Sequence, residues 1–231
     1  MKRRMTALAL AAAFALCLAG CGAQRESGSA AEVEAGKTGG QDASAQEFLD
    51  SITPETAEAK GACGSDITWY YQDNVLVLKG TGEMSDYDQD TSWDGVLSPW
   101  RSYEDGQIED QISWVIVGDG ITGIGENAFY NCGGISRVTF PETLKTIKDM
   151  AFAQCENLKE VTLPASLERI EGSFHDGNGH GYVETVTFLG DAPEIDGNPF
   201  GSTEEPVTIY YSGSGFEPYI QQFPGYNWAQ Q

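Results

Sequence analysis

The chain has 231 residues and carries 35 Asp and Glu against 13 Lys and Arg, a formal charge of −22. That balance excludes a nucleic-acid binder, whose phosphate-neutralising surface needs clustered Lys and Arg, and a protein held to anionic lipid by charge alone. A hydrophobic content of 40% with 11% aromatics excludes a wholly disordered chain and fits one domain with a small companion at most.

Lys2, Arg3 and Arg4 precede an apolar run from Met5 to Leu18. At about 14 residues the run falls short of the ~20 that span a bilayer as a helix, so residues 1–20 read as an export signal. The run closes with Leu18-Ala19-Gly20-Cys21, which resembles the lipobox of bacterial lipoproteins. The resemblance implies cleavage before Cys21, a diacylglyceryl group on its thiol and a membrane partner held through that lipid. The protein would then face the cell exterior, or the periplasm in a two-membrane envelope. Each buried methylene adds ~0.8 kcal/mol of anchoring, so two or more acyl chains hold stably. Beyond Cys21 the composition turns to Gly, Ala, Ser, Glu and Gln, with Phe48, Leu49 and Ile52 too few to build a core. Residues 21–60 are therefore expected to be a flexible tether reaching ~30–40 Å. A short helix around Ala45 to Ala57 is the alternative, with Pro54 counting against it.

Residues 61–111 are expected to form an N-terminal β-rich cap. Ile67 to Tyr71 and Val75 to Lys79 alternate in character about Gln72-Asp73-Asn74, which predicts a hairpin. Ser98 and Pro99 suit the N-cap and first position of a short helix through Tyr103.

From Ile112 to Tyr211 the sequence repeats. Ile121, Ile124, Ala128, Phe129, Cys132, Ile135, Val138, Phe140 and Pro141 return 23 residues later as Leu144, Ile147, Ala151, Phe152, Cys155, Leu158, Val161, Leu163 and Pro164. The phase extends upstream to Ile112, Val115 and Val117, and downstream through Leu167, Ile170 and Phe174 to Val186, Phe188, Phe200 and Ile209. Segments 112–117, 135–140, 158–163, 183–188 and 206–211 alternate apolar and polar residues, as half-buried strands do. Pro141 and Pro164 end two of them, because Pro offers the ladder no donor. The Ala-Phe-x-x-Cys half spaces its apolar residues as one helical turn would. No single unit can bury its own apolar side, so the units must stack into a solenoid. A 23-residue period lies within the leucine-rich-repeat range.

These units resemble the BspA-type leucine-rich repeats of bacterial surface proteins, strongly in two units and loosely over the rest of 112–211. Gly61-Ala62-Cys63-Gly64, Trp69, Leu78-Lys79-Gly80-Thr81-Gly82-Glu83-Met84 and Pro99-Trp100 are similar to a segment that accompanies such repeats in anaerobic gut bacteria. The resemblance implies an α+β repeat fold, a short leucine-rich-repeat solenoid with an N-terminal β-rich cap. It also implies non-covalent recognition of a protein or glycan, in adhesion or cell contact, with no cofactor and no catalysis. Residues 212–231, with Phe216, Tyr219, Ile220, Phe223 and Trp228, are expected to cover the far end.

Several residue groups invite a chemical reading. Cys132 and Cys155 occupy one phase of adjacent repeats, where stacked turns ~4.8 Å apart would allow a disulfide or metal pair, or simply a small apolar residue. The last reading is favoured. Asp86, Asp88, Asp90 and Asp94 open like a calcium loop, but Thr91 and Leu97 stand where its Gly and Glu belong. His175, Asp176 and His180 sit in a Gly-rich insertion without an accompanying nucleophile, which reads as a surface loop. The outward strand positions form two rows, Trp114, Arg137, Glu160, Thr185, Thr208 and Ile116, Thr139, Thr162, Thr187, Tyr210. In leucine-rich-repeat proteins such a face commonly takes the partner, which makes Trp114, Arg137, Glu160 and Tyr210 the candidate binding residues. Two alternatives compete with this reading. One is a carbohydrate-binding module or envelope enzyme using carboxylates and exposed Trp69, Trp93 and Trp100. The other is a structural envelope protein without a soluble ligand.

Overall fold

The computed structural model describes residues 43–90, 95–101, 108–176, 178–202 and 205–231. The expected signal, Cys21 and most of the expected tether lie outside the described residues. The described chain opens with a helix, α1 (Ala43–Ser51), and three antiparallel strands, β1 (Ala59–Ala62), β2 (Ile67–Gln72) and β3 (Val75–Gly80). Asp73 and Asn74 hold φ of 51° and 64°, the left-handed pair that a two-residue hairpin turn demands and that these side chains tolerate.

β3 also begins a parallel ladder. It pairs with β5 (Trp114–Val117), and β5 pairs with β7 (Arg137–Thr139). A second block of the same face joins β9 (Glu160–Leu163), β11 (Thr185–Phe188), β13 (Thr208–Tyr211) and β14 (Asn227–Gln230), again all parallel. Short strands β4 (Gly82–Glu83), β6 (Ile121–Ile124), β8 (Thr146–Ile147), β10 (Arg169–Ile170) and β12 (Glu194–Ile195) form a second five-stranded sheet. The result is a β-solenoid of about five turns at ~23-residue spacing, with few helices.

The Ala-Phe-x-x-Cys half is a run of tight turns where its spacing suggested a helical turn. The amides of Asn127, Phe129 and Asn131 donate to the carbonyls of Asp149, Ala151 and Ala153 in the next repeat, at 3.2, 2.7 and 2.9 Å. Amides committed to the neighbouring repeat are unavailable to an i→i−4 ladder. Asn127, Asn131, Met150 and Gln154 take φ of 53°, 60°, 53° and 59° at two recurring phases, which also breaks helical geometry. Among the described residues the α-helices, α1 and α2 (Glu217–Gln222), lie outside the repeats.

The repeated Phe builds the spine of the core. Trp100, Phe129 and Phe152 stack at 4.8 and 4.9 Å between ring centroids. Phe174 follows at 5.2 Å and Phe200 at 5.6 Å. Trp100 of the N-terminal cap thus starts the column, and Tyr226, 6.1 Å from Phe200, ends it. Phe216 is buried against Phe188 and Tyr211 at the far end, beside Trp228 of β14.

The expectation of a tether through residue 60 is corrected. Ala45, Leu49 and Ile52 are buried against Val75, Val77 and Ile116 on the outer side of the front sheet, the face formed by β3, β5 and β7 and continued by β9, β11, β13 and β14. Their i, i+4, i+7 spacing presents one apolar stripe. Three residues cannot make a core alone, but they suffice to cover an apolar patch that the sheet already provides. Lys79 Nζ secures the helix end by donating to the Ile52 carbonyl at 2.8 Å.

Candidate functional site

The front sheet orders the outward rows as the repeat predicts. Trp114 registers with Arg137, Glu160 with Thr185, and Thr185 with Thr208. Ile116 registers with Thr139, Thr162 with Thr187, and Thr187 with Tyr210. The four candidate residues therefore share one face, but their settings differ.

Ile116 is fully buried beneath α1, which corrects its expected exposure. Trp114 is half-buried, with Phe48 of the helix 6.3 Å from its ring. Its Nε1 donates to Thr139 Oγ1 at 3.0 Å, and the Arg137 guanidinium lies 4.1 Å from its ring centroid. With its ring so occupied, Trp114 is a support for Arg137 rather than an open platform. Arg137, Glu160 and Thr162 are exposed, while Thr185, Thr187, Thr208 and Tyr210 are half-buried. From Arg137 onward the two rows hold one cation, one anion and a field of hydroxyls, on a chain of net charge −22.

The face is interrupted once. No ladder pairs β7 with β9 among the described residues. At the other junctions the first strand amide donates backwards: Arg137 to Ser113 O at 3.2 Å, Thr185 to Lys159 O at 3.0 Å, and Thr208 to Glu184 O at 2.9 Å. Glu160, at the same phase, has no corresponding bond to the Ser136 carbonyl among the described residues. At the other end of β9, Pro164 has no N–H to give to Phe140, whereas Leu189 N–H reaches Leu163 O at 3.0 Å. Behind this seam the repeats stay joined, by β8 with β10 and by Phe152 N–H on Ser173 O at 2.8 Å. The seam opens into a cleft of about 490 Å³ between Arg137, Thr139 and Glu142 on one side and Glu160 and Thr162 on the other.

The remaining candidates have structural occupations. Cys132 and Cys155 are free, fully buried thiols, and Cys155 Sγ donates to the Phe129 carbonyl at 3.3 Å. Burial raises both well above the usual thiol range, and it pushes Cys63 up to about 12. Asp86 Oδ1 accepts from the Glu126 amide and Lys148 Nζ, each at 2.9 Å, and Asp88 Oδ2 accepts from the Val96 amide at 2.7 Å. Partial burial pulls the Asp86 carboxyl up, but those two donors outweigh it and leave it below its ordinary value. Asp94 lies outside the described residues. Asp176 Oδ1 accepts the amides of His180 and Asn178, both at 2.9 Å, and these hold its carboxyl low. His175 and His180 form single backbone bridges to Gly181 and Ser202. Among the described residues no group of three or more His, Cys, Asp or Glu is placed to hold a metal ion. Trp69 and Trp100 are 2% and 0% exposed, and Trp93 lies outside the described residues.

The sequence places neither the packing of the N-terminal helix nor the seam. The N-terminal helix covers the start of the face, for which the 45/49/52 stripe was the available signal. The seam has no distinct signal in the sequence, since Pro141 stands at the phase of Pro164 and β5 still pairs with β7.

Residues 109–206 match, in six copies, the family model described as the BspA type leucine rich repeat region. Among curated proteins nothing matches the chain. Among solved structures, a leucine-rich repeat protein from Eubacterium ventriosum is 22% identical, with a TM-score of 0.43, over 67% of this chain. This chain covers 44% of that structure, under half its length. A leucine-rich repeat protein from Bacteroides capillosus is 25% identical, with a TM-score of 0.34, over 58% of this chain and 100% of its own. The cysteine and Ala-Phe phases, the parallel β-solenoid and the six matched copies agree in what residues 109–206 are similar to, the leucine-rich repeats of the BspA type.

Proposed function

We propose that the protein is a surface lipoprotein, anchored through Cys21, that recognises a protein partner non-covalently across the front sheet. The observation that carries this reading is the contrast along one face. Its start, over Val77 and Ile116, is sealed by α1, while among the described residues no helix covers the hydroxyl-rich rows from Thr139 to Tyr210. Repetition makes that remainder one extended surface, the usual resource of solenoid proteins. A protein partner is favoured over a glycan because the rings a sugar would stack on are occupied. Trp69 and Trp100 are core residues and Trp114 lies under Arg137. Anchoring through Cys21 rests on the signal and lipobox pattern, which would present the solenoid outside the membrane.

Binding of the full chain to parallel protein and glycan arrays tests the reading, alongside Thr162→Arg and Thr187→Arg, which each place a bulky charge on the face. Protein ligands bound at least ten-fold more weakly by both variants support it. Binding that survives both substitutions moves recognition off the sheet. Failure of the folded protein to bind any protein on the array overturns it.

A further inference from the structure

We infer that the seam between β7 and β9 is a docking cleft for an extended peptide segment of the partner, one that carries an aliphatic side chain next to a Lys or Arg. The inference rests on the sheet-face reading above and names the chemistry that face would select.

Three independent features of the cleft meet in this occupant. The first is backbone. The Glu160 amide and the Ser136 carbonyl lack the ladder bond made at the equivalent positions of neighbouring repeats, and Pro164 leaves the Phe140 carbonyl without its strand-end donor. An extended chain lying along a sheet offers alternating donors and acceptors to such groups, and its side chains then enter adjoining pockets. The second is apolar surface. Val138, Phe140, Pro164 and Leu189 line the cleft. Leu189 is 40% exposed, and among the described residues only it and Val96 are exposed large hydrophobic side chains. An aliphatic side chain of the partner would cover it. The third is charge. Glu142 and Glu160 outnumber Arg137 around the opening, and the Arg137 guanidinium is already drawn to the Trp114 ring. A basic partner residue meets two carboxylates there, whereas an acidic one meets like charge on a chain of net −22.

The probe is an array of capped heptapeptides with central Leu, flanked by Lys, Ser or Glu, presented to the full chain and three variants. Retention of the Lys-flanked peptides over the Glu-flanked ones by at least ten-fold is the expected result. Leu189→Asp should abolish it, and Glu142→Lys combined with Glu160→Lys should reverse the preference. Circular dichroism establishes that each variant is folded; these three side chains are exposed or line the cleft and carry no core packing. Thr187→Arg, one strand beyond the cleft on the same face, separates the two claims. Protein-array binding lost in Thr187→Arg but retained in Leu189→Asp keeps the sheet face as the site and overturns the cleft. Equal retention of Lys- and Glu-flanked peptides, or no retention of either, also overturns it.

Discussion

Phe152 sits at the middle of the aromatic column and offers the sharpest test of how the solenoid is held together. It is 1% exposed, stacked on Phe129 at 4.9 Å and Phe174 at 5.2 Å, and edge-on to Phe140 at 5.9 Å. Truncation to Ala removes a buried ring, which costs about 3–5 kcal/mol including the cavity. It also breaks three ring pairs, each worth about 0.5–1.5 kcal/mol beyond area. The two ranges overlap, and Phe152→Ala is expected to lose about 4–5 kcal/mol. Phe152→Leu keeps most of the apolar volume and forfeits the ring geometry, for a loss of at least about 1.5 kcal/mol but less than that of the Ala variant. Each repeat contacts only its neighbours, so a void in the central turn should also broaden the transition. Urea unfolding followed by circular dichroism reads both effects as midpoint and slope. A loss below about 2 kcal/mol for the Ala variant, or equal losses for Ala and Leu, would refute the column as the main tie between repeats.

Three further outcomes follow from particular contacts. Leu49→Ala should cost about 2 kcal/mol and raise binding of a hydrophobic dye, because Val77 and Ile116 are fully buried only where α1 covers them; an unchanged unfolding midpoint would contradict that cover. Cys132 and Cys155 should resist thiol reagents in the native state and react at the rate of unfolding, since burial disfavours both thiolates; fast labelling without denaturant would contradict their place in the core. Burial, then the charges of Asp149, Asp86 and Glu171, raise the Glu126 carboxyl despite Lys148. The folded state thus holds that proton more tightly than the unfolded one. The associated stability is present at low pH and lost as pH climbs through the folded value. Glu126→Gln should therefore be more stable than the parent at pH 7, by an amount that solvent screening keeps small, and the gain should vanish as pH falls below the carboxylate range; a gain independent of pH would contradict the cause.

Much of this architecture was legible because repetition turns a weak local signal into a strong one. Val115, Val138, Val161 and Val186 recur at one phase, and the ladder pairs them in that order through Val115 with Val138 and Val161 with Val186. The Asp73-Asn74 turn was equally plain, since few residue pairs accept two positive φ values. What sequence reasoning missed depends on partners outside the period. Trp100 fills a Phe position without the repeat spacing, so only the stacked column identifies its role. Helix α1 has too few apolar residues to stand alone, and its stability is borrowed from Val75, Val77 and Ile116. The Ala-Phe-x-x-Cys half satisfies a helical spacing while sending its amides to the next repeat, a choice that lies between units and not within one. At the candidate site the identity of the face was legible, whereas Trp114 proved to support Arg137 because its neighbours, Phe48 and Thr139, come from a helix and a strand that composition alone does not bring together.

The most direct test of the central claim, an open seam in the proposed recognition face, is native-state hydrogen exchange at four amides of one repeat phase. Arg137, Thr185 and Thr208 each donate to the preceding turn at 3.2, 3.0 and 2.9 Å, and Glu160 has no such bond among the described residues. The account predicts that Glu160 exchanges at least ten-fold faster than the other three, and slows when a Lys-flanked peptide is bound. Protection of Glu160 equal to that of Thr185 in the free protein would mean an unbroken ladder with no cleft to fill.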